Sequence, residues 1–262
     1  MMPMKIHRLV DEFLDRLRTA SASALLLDYD GTLAPFQTDR LTAYPYPGVV
    51  TILDRILQSG KTRVVVISGR PVREIQALVG PLTNLEIWGA HGFERLLADG
   101  QQMTNAIDPQ VMELLLEATE WIRKTGLSPM VEAKPGGIAI HWRGSSKIEI
   151  ERIRALALSG WARIALSPGL KLLQFDGGLE LRTAHPDKGD AVTSILRESS
   201  PDAEIAFLGD DITDEDAFRA LDGRGLSVLV RSAYRPTRAN AWLRPPRELI
   251  EFLSQWLKMV SG

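Results

Sequence analysis

Two carboxylates, separated by a single residue, stand where an apolar run ends. Asp28 and Asp30 follow the leucines at 25–27, and Gly31 comes next. In an extended stretch, residues two apart share a face, so both acids point roughly the same way. They repel each other unless both hold a divalent cation, or one is a nucleophile and the other a proton shuttle. A surface turn is the third interpretation, because Asp and Gly are ordinary turn residues.

Two further apolar runs also end in polar residues, and a lysine stands at the start of a predicted helix. These residues are Ser68, Gly69 and Arg70 after 63–67, Asp210, Asp211 and Asp214 after 205–209, and Lys188. Each cluster alone could be structural: a turn, a helix cap or a solvated side chain. In a parallel sheet, however, the carboxyl ends of the strands lie at one edge. The clusters that follow the three apolar runs would therefore lie close together, which favours a shared site.

The chemistry of that site follows from the residue types. Carboxylates from two strands, Asp28 and Asp210, would hold Mg²⁺, which prefers oxygen ligands. Ser68 and nearby backbone amides can donate to phosphate oxygens, and Lys188 can neutralise charge on the nucleophile and phosphate together. The sequence has no glycine-rich loop ending in Gly-Lys-Ser/Thr, which disfavours a nucleotide-binding kinase or ATPase.

The elements that must position these residues alternate between buried strands and amphipathic helices. This pattern predicts an α/β fold with a Rossmann-like, doubly wound parallel sheet. The alternation loosens between residues 105 and 178, where strands are half-exposed. We therefore predict a core made of residues 1–104 and 179–262, with an α/β cap subdomain, 105–178, inserted between its two parts.

Composition excludes several classes of protein. The 262 residues are 45% hydrophobic and 24% charged, as in ordinary globular proteins, and the formal net charge is −2. This charge gives no support for nucleic acid or an anionic membrane surface as a partner. The chain has no cysteine, so disulfides and thiol catalysis are excluded. We found no signal peptide and no membrane-spanning run, and we expect a cytoplasmic monomer.

The ordered motifs resemble those of the haloacid dehalogenase (HAD) superfamily of phosphatases, and more closely its trehalose-6-phosphate phosphatase family. The stretches that carry the resemblance are LDYDGTL at 27–33, ISGR at 67–70, GAHG at 89–92, EAK at 132–134, HWR at 141–143 and GDDITDED at 209–216. The resemblance covers about residues 23 to 245. It implies Mg²⁺-dependent hydrolysis of a small sugar phosphate, most simply trehalose 6-phosphate.

The resemblance also implies roles for individual residues. Asp28 would be the nucleophile that forms an aspartyl-phosphate, and Asp30 the acid and then the base. Asp28, the backbone carbonyl of Asp30, and Asp210 would bind Mg²⁺, with Asp214 supporting them. Ser68 and Lys188 would bind phosphate. The implied substrate-binding residues are Gly69, Arg70 and His91 of the core, with Glu132, Lys134, His141, Arg143 and Glu180, which would read sugar hydroxyls.

Two departures from the family pattern fall in this sugar-reading region. Asp176 stands where the family usually has a lysine, four residues before Glu180, and Trp142 stands where a tyrosine is more frequent. Both leave the chemistry intact and leave the identity of the sugar open. Alternatives are another phosphorylated sugar, such as sucrose phosphate or glucosylglycerol phosphate, or a regulatory phosphate-binding module without turnover. The intact pair of acids argues against the module.

Overall fold

A computed structural model describes residues 3–175 and 177–261. The chain divides into two units, one comprising residues 1–103 and 187–262 and the other residues 104–186. The described residues form eight α-helices: α1 Pro3–Thr19, α2 Val49–Gln58, α3 Val72–Val79, α4 Pro109–Thr125, α5 Lys147–Ala165, α6 Lys188–Glu198, α7 Glu215–Leu221 and α8 Arg247–Val260. None of them is long and apolar enough to cross a bilayer.

Twelve strands are formed by the described residues. They are β1 Ser23–Leu27, β2 Thr62–Ile67, β3 Glu86–Gly89, β4 Glu94–Leu96, β5 Gln102–Thr104, β6 Val131–Lys134, β7 Gly137–His141, β8 Leu170–Phe175, β9 Gly178–Thr183, β10 Glu204–Gly209, β11 Leu226–Val230 and β12 Ala241–Leu243.

The first unit is built on one sheet in the order β12-β11-β10-β1-β2-β3-β4-β5. Strands β12 to β3 run parallel, and β4 pairs antiparallel with β3. From β1 the chain builds the sheet outward through β2 on one side, and β10 lies on the other side. The gap between the ends of β1 and β10 is therefore a switch point, where α/β proteins bind ligands.

Both faces of this sheet are buried, which is why its strands are continuously apolar. On one face, Leu25 and Leu27 of β1 pack with side chains of α1, α2 and α8. On the other face, Leu26 packs with side chains of α6 and α7. The strand consequently ends at a fixed position, and Asp28 is the first residue beyond it.

The second unit is a four-stranded antiparallel sheet in the order β6-β7-β9-β8. Its core joins Ile138, Ile140 and Leu181 to apolar side chains of α4 and α5. Because strand residues alternate between faces, the helices cover one face and the intervening positions form the other. That second face carries Glu132, Lys134, His141 and Glu180, placed by the pairing register.

The bounds of the second unit differ from the sequence-based prediction. The second unit begins at 104 and continues to 186 instead of 178, because β9 hydrogen-bonds to β7 and β8 and so belongs to the antiparallel sheet. Helix α5 runs without a break from Lys147 to Ala165. It passes through Gly160 because Trp121 of α4 packs where a side chain would stand: a Cβ there would lie 2.1 Å from the indole.

Candidate active site

Asp28 lies buried at the end of β1, with its carboxylate held from two sides. Lys188 Nζ donates to Oδ1 at 2.6 Å, and Thr32 Oγ1 donates to Oδ2 at 3.1 Å. Its backbone N–H continues the ladder to the carbonyl of Leu208 at 2.8 Å. The carboxylate orientation is thus fixed by a cation, a hydroxyl and the sheet itself.

Lys188 is a buried cation in the first turn of α6, an end of the helix dipole that disfavours positive charge. Two carboxylates compensate it: Nζ lies 2.6 Å from Oδ1 of Asp28 and 2.6 Å from Oδ1 of Asp214. Although burial opposes the charged form, the carboxylates of Asp214 and Asp28 raise the pKa of the ammonium. Lys188 is therefore positively charged throughout the range in which enzymes work.

Asp214 organises the loop that follows β10. Its Oδ2 accepts the backbone N–H groups of Asp210 and Asp211, at 3.0 and 2.9 Å, while Oδ1 accepts from Lys188. The side chain is fully buried and packs so tightly under Gly209 that a Cβ there would lie 2.5 Å from Cγ of Asp214. Both carboxylate oxygens are already engaged, which suits the predicted supporting role.

The carboxylates of Asp28, Asp210 and Asp214 form a buried acidic cluster, in which one oxygen of each lies within 4.8 Å of one oxygen of the others. Burial is the main cause that raises the pKa of Asp28, to about 7, and of Asp210; Lys188 opposes both shifts. Lys188 and the more distant guanidinium of Arg231, 3.6 Å from Asp210, are two cations beside three acids, and oxygen donors are what hard divalent cations prefer. The residues present therefore fit a divalent metal ion, which Asp28 and Asp210 would hold.

Asp30 is turned towards Arg70. Arg70 Nε donates to Oδ2 and Nη2 to Oδ1, both at 2.6 Å, so the guanidinium holds both oxygens of the carboxylate. Arg70, for which the family resemblance implies a substrate contact, is thus ion-paired within the protein, and its contact with a substrate remains a prediction. The metal-binding role of the Asp30 carbonyl remains a prediction.

Ser68 lies in a tight turn after β2, almost fully buried. Its Oγ accepts the backbone N–H of Arg70 at 3.1 Å, and its carbonyl accepts the N–H of His91 at 2.8 Å. The imidazole of His91 lies directly against Gly69, where a Cβ would be 2.6 Å from Nε2. Ala90 and His91 both have positive φ, at 47° and 58°, so the GAHG turn is a strained support beneath the Ser-Gly-Arg turn.

The polar face of the second unit brings together four of the five predicted sugar-reading residues. His141 Nε2 lies 2.8 Å from Oε2 of Glu132, and Lys134 Nζ donates to Oε1 of Glu180 at 2.9 Å. Lys134 also lies 3.8 Å from Glu132. We name these four residues the polar cluster of the second unit; its carboxylates are largely buried and held in place by cations.

Arg143 lies at one end of the same sheet, where its guanidinium packs against Gly177. A Cβ on Gly177 would lie 2.9 Å from Cζ of Arg143. Asp176, the neighbouring departure from the family pattern, lies outside the described residues. Phe175 was missed by sequence reasoning: its ring centroid is 5.5 Å from that of His141 and 6.0 Å from Nζ of Lys134.

A second group missed from the sequence braces the loop after β10. Arg235 donates to the carbonyl of Asp211 at 2.7 Å and forms an ion pair with Glu215. Arg231 Nη1 lies 3.6 Å from Oδ2 of Asp210. Arg231 directly follows the apolar run of β11, as Asp28 follows β1, so this arginine could have been found from the sequence.

Comparison with known proteins gives one consistent result. The family model described as Trehalose-phosphatase matches residues 26–245. A trehalose-phosphate phosphatase of Mycobacterium ulcerans (strain Agy99) is 31% identical over 258 residues, a match that covers 93% of this chain and 63% of the relative. The chain thus spans less than two thirds of the length of that curated relative.

Solved structures agree on the fold. The C-terminal domain of a C. albicans trehalose-6-phosphate phosphatase has a TM-score of 0.81 at 22% identity and covers 95% of this chain and 96% of its own. An Aspergillus fumigatus trehalose-6-phosphate phosphatase has a TM-score of 0.67 at 25% identity, covering 95% of this chain and 97% of its own. The predicted α/β fold of the haloacid dehalogenase type is confirmed.

Proposed function

Since the chain belongs to the trehalose-phosphatase family, we propose that it hydrolyses trehalose 6-phosphate to trehalose and inorganic phosphate in a Mg²⁺-dependent reaction. The observation that carries the proposal is the buried arrangement of Asp28, Lys188 and Asp210 at the switch point, with Asp30 held beside it. A nucleophile, a cation, a metal-binding pair and a separately oriented acid are the parts that stepwise phosphoryl transfer requires.

In the first step, a carboxylate oxygen of Asp28 attacks phosphorus and the bond from phosphorus to the sugar oxygen breaks. Asp30 enters this step as the carboxylic acid, with a proton taken from solvent, and donates that proton to the leaving oxygen, which departs as the sugar hydroxyl. Asp28 then carries the phosphoryl group as an acyl phosphate. Lys188, already 2.6 Å from Asp28, neutralises charge on the nucleophile and the phosphoryl oxygens together.

In the second step, water attacks the phosphorus of the acyl phosphate. Asp30, now a carboxylate, takes the proton from this water, and the bond from phosphorus to the oxygen of Asp28 breaks. Phosphate leaves and both aspartates return to their starting forms. The division of work explains why two acids stand so close together: one is consumed and regenerated as nucleophile, and the other moves a proton in each step.

Asp28 and Asp210 are the side chains that would hold Mg²⁺, and Asp214 would keep them in place through its bonds to the loop after β10. A bound Mg²⁺ supplies positive charge that stabilises the transferring phosphoryl group. The buried, partly uncompensated acids described above support this assignment, since a dication relieves their mutual repulsion.

Sugar recognition is assigned to the polar cluster of the second unit and Arg143. Buried, ion-paired carboxylates at fixed positions suit hydrogen bonds to sugar hydroxyls, because little further ordering is needed on binding. Phe175, on the same face of the sheet, adds an apolar surface that suits a sugar ring. The departures at Asp176 and Trp142 make this the part of the proposal to test first.

A phosphate-release assay across a panel of esters tests the function. The panel comprises trehalose 6-phosphate, sucrose phosphate, glucosylglycerol phosphate and p-nitrophenyl phosphate, each with and without Mg²⁺, with the Asp28→Asn variant as the control for contaminating phosphatase. We expect the highest kcat/KM on trehalose 6-phosphate. A preference for another sugar would reassign the substrate, and no Mg²⁺-dependent release from any ester would support a binding module instead.

A further inference from the structure

Arg70 engages Asp30 through both of its forked N–H groups. The two contacts, Nε to Oδ2 and Nη2 to Oδ1, are each 2.6 Å, which is the bidentate geometry that fixes a carboxylate in plane as well as in position. The Arg70 side chain is only 7% exposed, whereas that of Asp30 is 30% exposed. The guanidinium is thus the buried member of the pair, and the carboxylate is the more exposed member.

Arg70 is itself fixed from several directions. Nη1 donates to the carbonyl of Arg40 at 2.8 Å and lies 3.5 Å from Oε2 of Glu74. Glu74 is in turn ion-paired with the Arg40 side chain, and the guanidinium of Arg70 lies 5.6 Å from the ring centroid of Tyr29. A side chain with these partners is committed to the protein and has little freedom to reach for a ligand.

Asp30 needs such a support because its own backbone is in a tight turn. Gly31 has a φ of 82°, and its N–H bonds back to the carbonyl of Ala34 at 2.8 Å. Among the described residues, the hydrogen bonds to the Asp30 carboxylate come from Arg70 and not from that turn. Since proton transfer depends on the position of the carboxylate relative to the reacting oxygen, the rotation of the Asp30 side chain has to be set from elsewhere.

We propose that Arg70 is a positioning residue, which orients the carboxylate of Asp30 for its two proton transfers and does not bind the phosphate or the sugar. The inference rests on the proposed function, because it takes Asp30 as the acid and base of the two-step reaction. It reassigns Arg70 from the substrate-binding role implied by the family resemblance. Arg40 and Glu74 hold Arg70 in turn.

The two proton transfers give readouts that a merely structural role would not change. A proton from Asp30 matters most when the leaving group is a poor one, such as an alkoxide or an unactivated phenolate, and least for p-nitrophenolate. With p-nitrophenyl phosphate, therefore, the first step depends little on Asp30, whereas hydrolysis of the acyl phosphate still needs it as base. If the Asp30 carboxylate is no longer positioned, hydrolysis of the acyl phosphate becomes slower than its formation, and the phosphoenzyme accumulates.

The experiment compares the parent with Arg70→Gln, Arg70→Lys and Arg63→Gln on a series of substituted phenyl phosphates of increasing leaving-group pKa. Arg63 is the matched control: it holds both oxygens of Glu86 at 2.6 and 2.7 Å, at the opposite end of β2. The measurements are kcat/KM for each ester, and the burst of p-nitrophenolate in the pre-steady state. Thermal unfolding of each variant reports its folding.

For Arg70→Gln we expect the loss of kcat/KM to grow with leaving-group pKa, from within about 5-fold on p-nitrophenyl phosphate to roughly 10²-fold on the poorest leaving group. We also expect a burst close to one equivalent of enzyme. Arg63→Gln should follow the parent across the series. Arg70→Lys should lie between the parent and Arg70→Gln, because an ammonium cannot form the two-pronged contact.

A uniform loss across the series without a burst would overturn the inference and return Arg70 to substrate binding or packing. The same slope in Arg63→Gln would overturn it as well. If Arg70→Gln fails to fold, Arg70→Lys decides the question on the same two readouts. An inactive parent would instead refute the proposed function, and the two failures are thereby distinguished.

Discussion

The ammonium of Lys188 lies 2.6 Å from both Oδ1 of Asp28 and Oδ1 of Asp214, with all three side chains buried. This one cation ties the end of β1, the start of α6 and the loop after β10 together. It also sets the electrostatics of the candidate site, because two carboxylates share one compensating charge and Asp210 adds a third acid.

Asp28→Asn should fold and lose phosphatase activity by roughly 10³-fold or more, because an amide is a poor nucleophile at phosphorus. The geometry supports folding, since the amide oxygen of the asparagine can still accept from Lys188 and its NH₂ group can donate to the hydroxyl oxygen of Thr32. Phosphate release and thermal unfolding are measured on the same preparation. Near-parental release by the folded variant would contradict the covalent mechanism.

Lys188→Met should destabilise the metal-free protein by about 3–5 kcal/mol, since it leaves Asp28 and Asp214 as buried charges without their common partner. Adding Asp28→Asn to this variant should recover part of the loss, because one of the two unpaired charges is removed. Urea unfolding of the parent, both single variants and the double variant measures the effect. Strictly additive free energies would show that the two side chains do not interact.

Metal-free stability should fall as the pH rises, and Mg²⁺ should reverse the fall. Burial raises the pKa of Asp28 from 3.8 to about 7 in the folded protein, so the fold binds this proton more tightly than the unfolded chain does. The stability that this proton contributes is fully present below the pKa of the unfolded chain, 3.8, and is lost as the pH rises through the folded pKa of about 7. The Asp210 carboxyl, whose pKa burial also raises, acts in the same direction.

The measurement is the thermal midpoint between pH 5 and 8, with and without millimolar Mg²⁺. Because the metal needs deprotonated carboxylates, the midpoint gained on adding Mg²⁺ should be larger at pH 8 than at pH 5. Lys188 does not contribute, since its pKa is raised above this range. Asp28→Asn is the control and should reduce both effects. A Mg²⁺ gain that is independent of pH would argue against a metal held by these acids.

The positions of the site residues at the strand ends could be predicted from the sequence, whereas the ion pairs between their side chains could not. Apolar runs that stop at Asp28, Ser68 and Asp210 suffice to place these residues at one edge of a parallel sheet. Arg70 pairs with Asp30 because the two side chains meet in the folded protein. From the sequence alone, Asp28, Asp30 and a bound ligand are equally good partners for this arginine. Fold-level periodicity carries no information about such a choice.

The predicted boundary at 178 was too early for a related reason. The strand at 178–183 is continuously buried, which resembles a core strand of the parallel sheet. Its partners are β7 and β8, and only the pairing shows that it belongs to the second unit.

Glu132→Ala should separate sugar recognition from phosphate chemistry. Glu132 lies 2.8 Å from His141 and 3.8 Å from Lys134, on the face of the second unit that its helices do not cover. Loss of a hydrogen bond to a charged group costs about 1.5–3 kcal/mol, so we expect kcat/KM on trehalose 6-phosphate to fall roughly 10- to 100-fold. Hydrolysis of p-nitrophenyl phosphate, which carries no sugar, should change little.

Glu117→Ala is the matched control for this test. Glu117 is also an ion-paired glutamate of the second unit, 2.7 Å from Arg163, but it lies exposed on α4, and surface pairs of this kind contribute little to stability. It should match the parent on both substrates. Equal losses on both substrates for Glu132→Ala, with a lowered thermal midpoint, would show that Glu132 supports the sheet. A selective loss on the sugar ester, with an unchanged midpoint, would assign it to recognition.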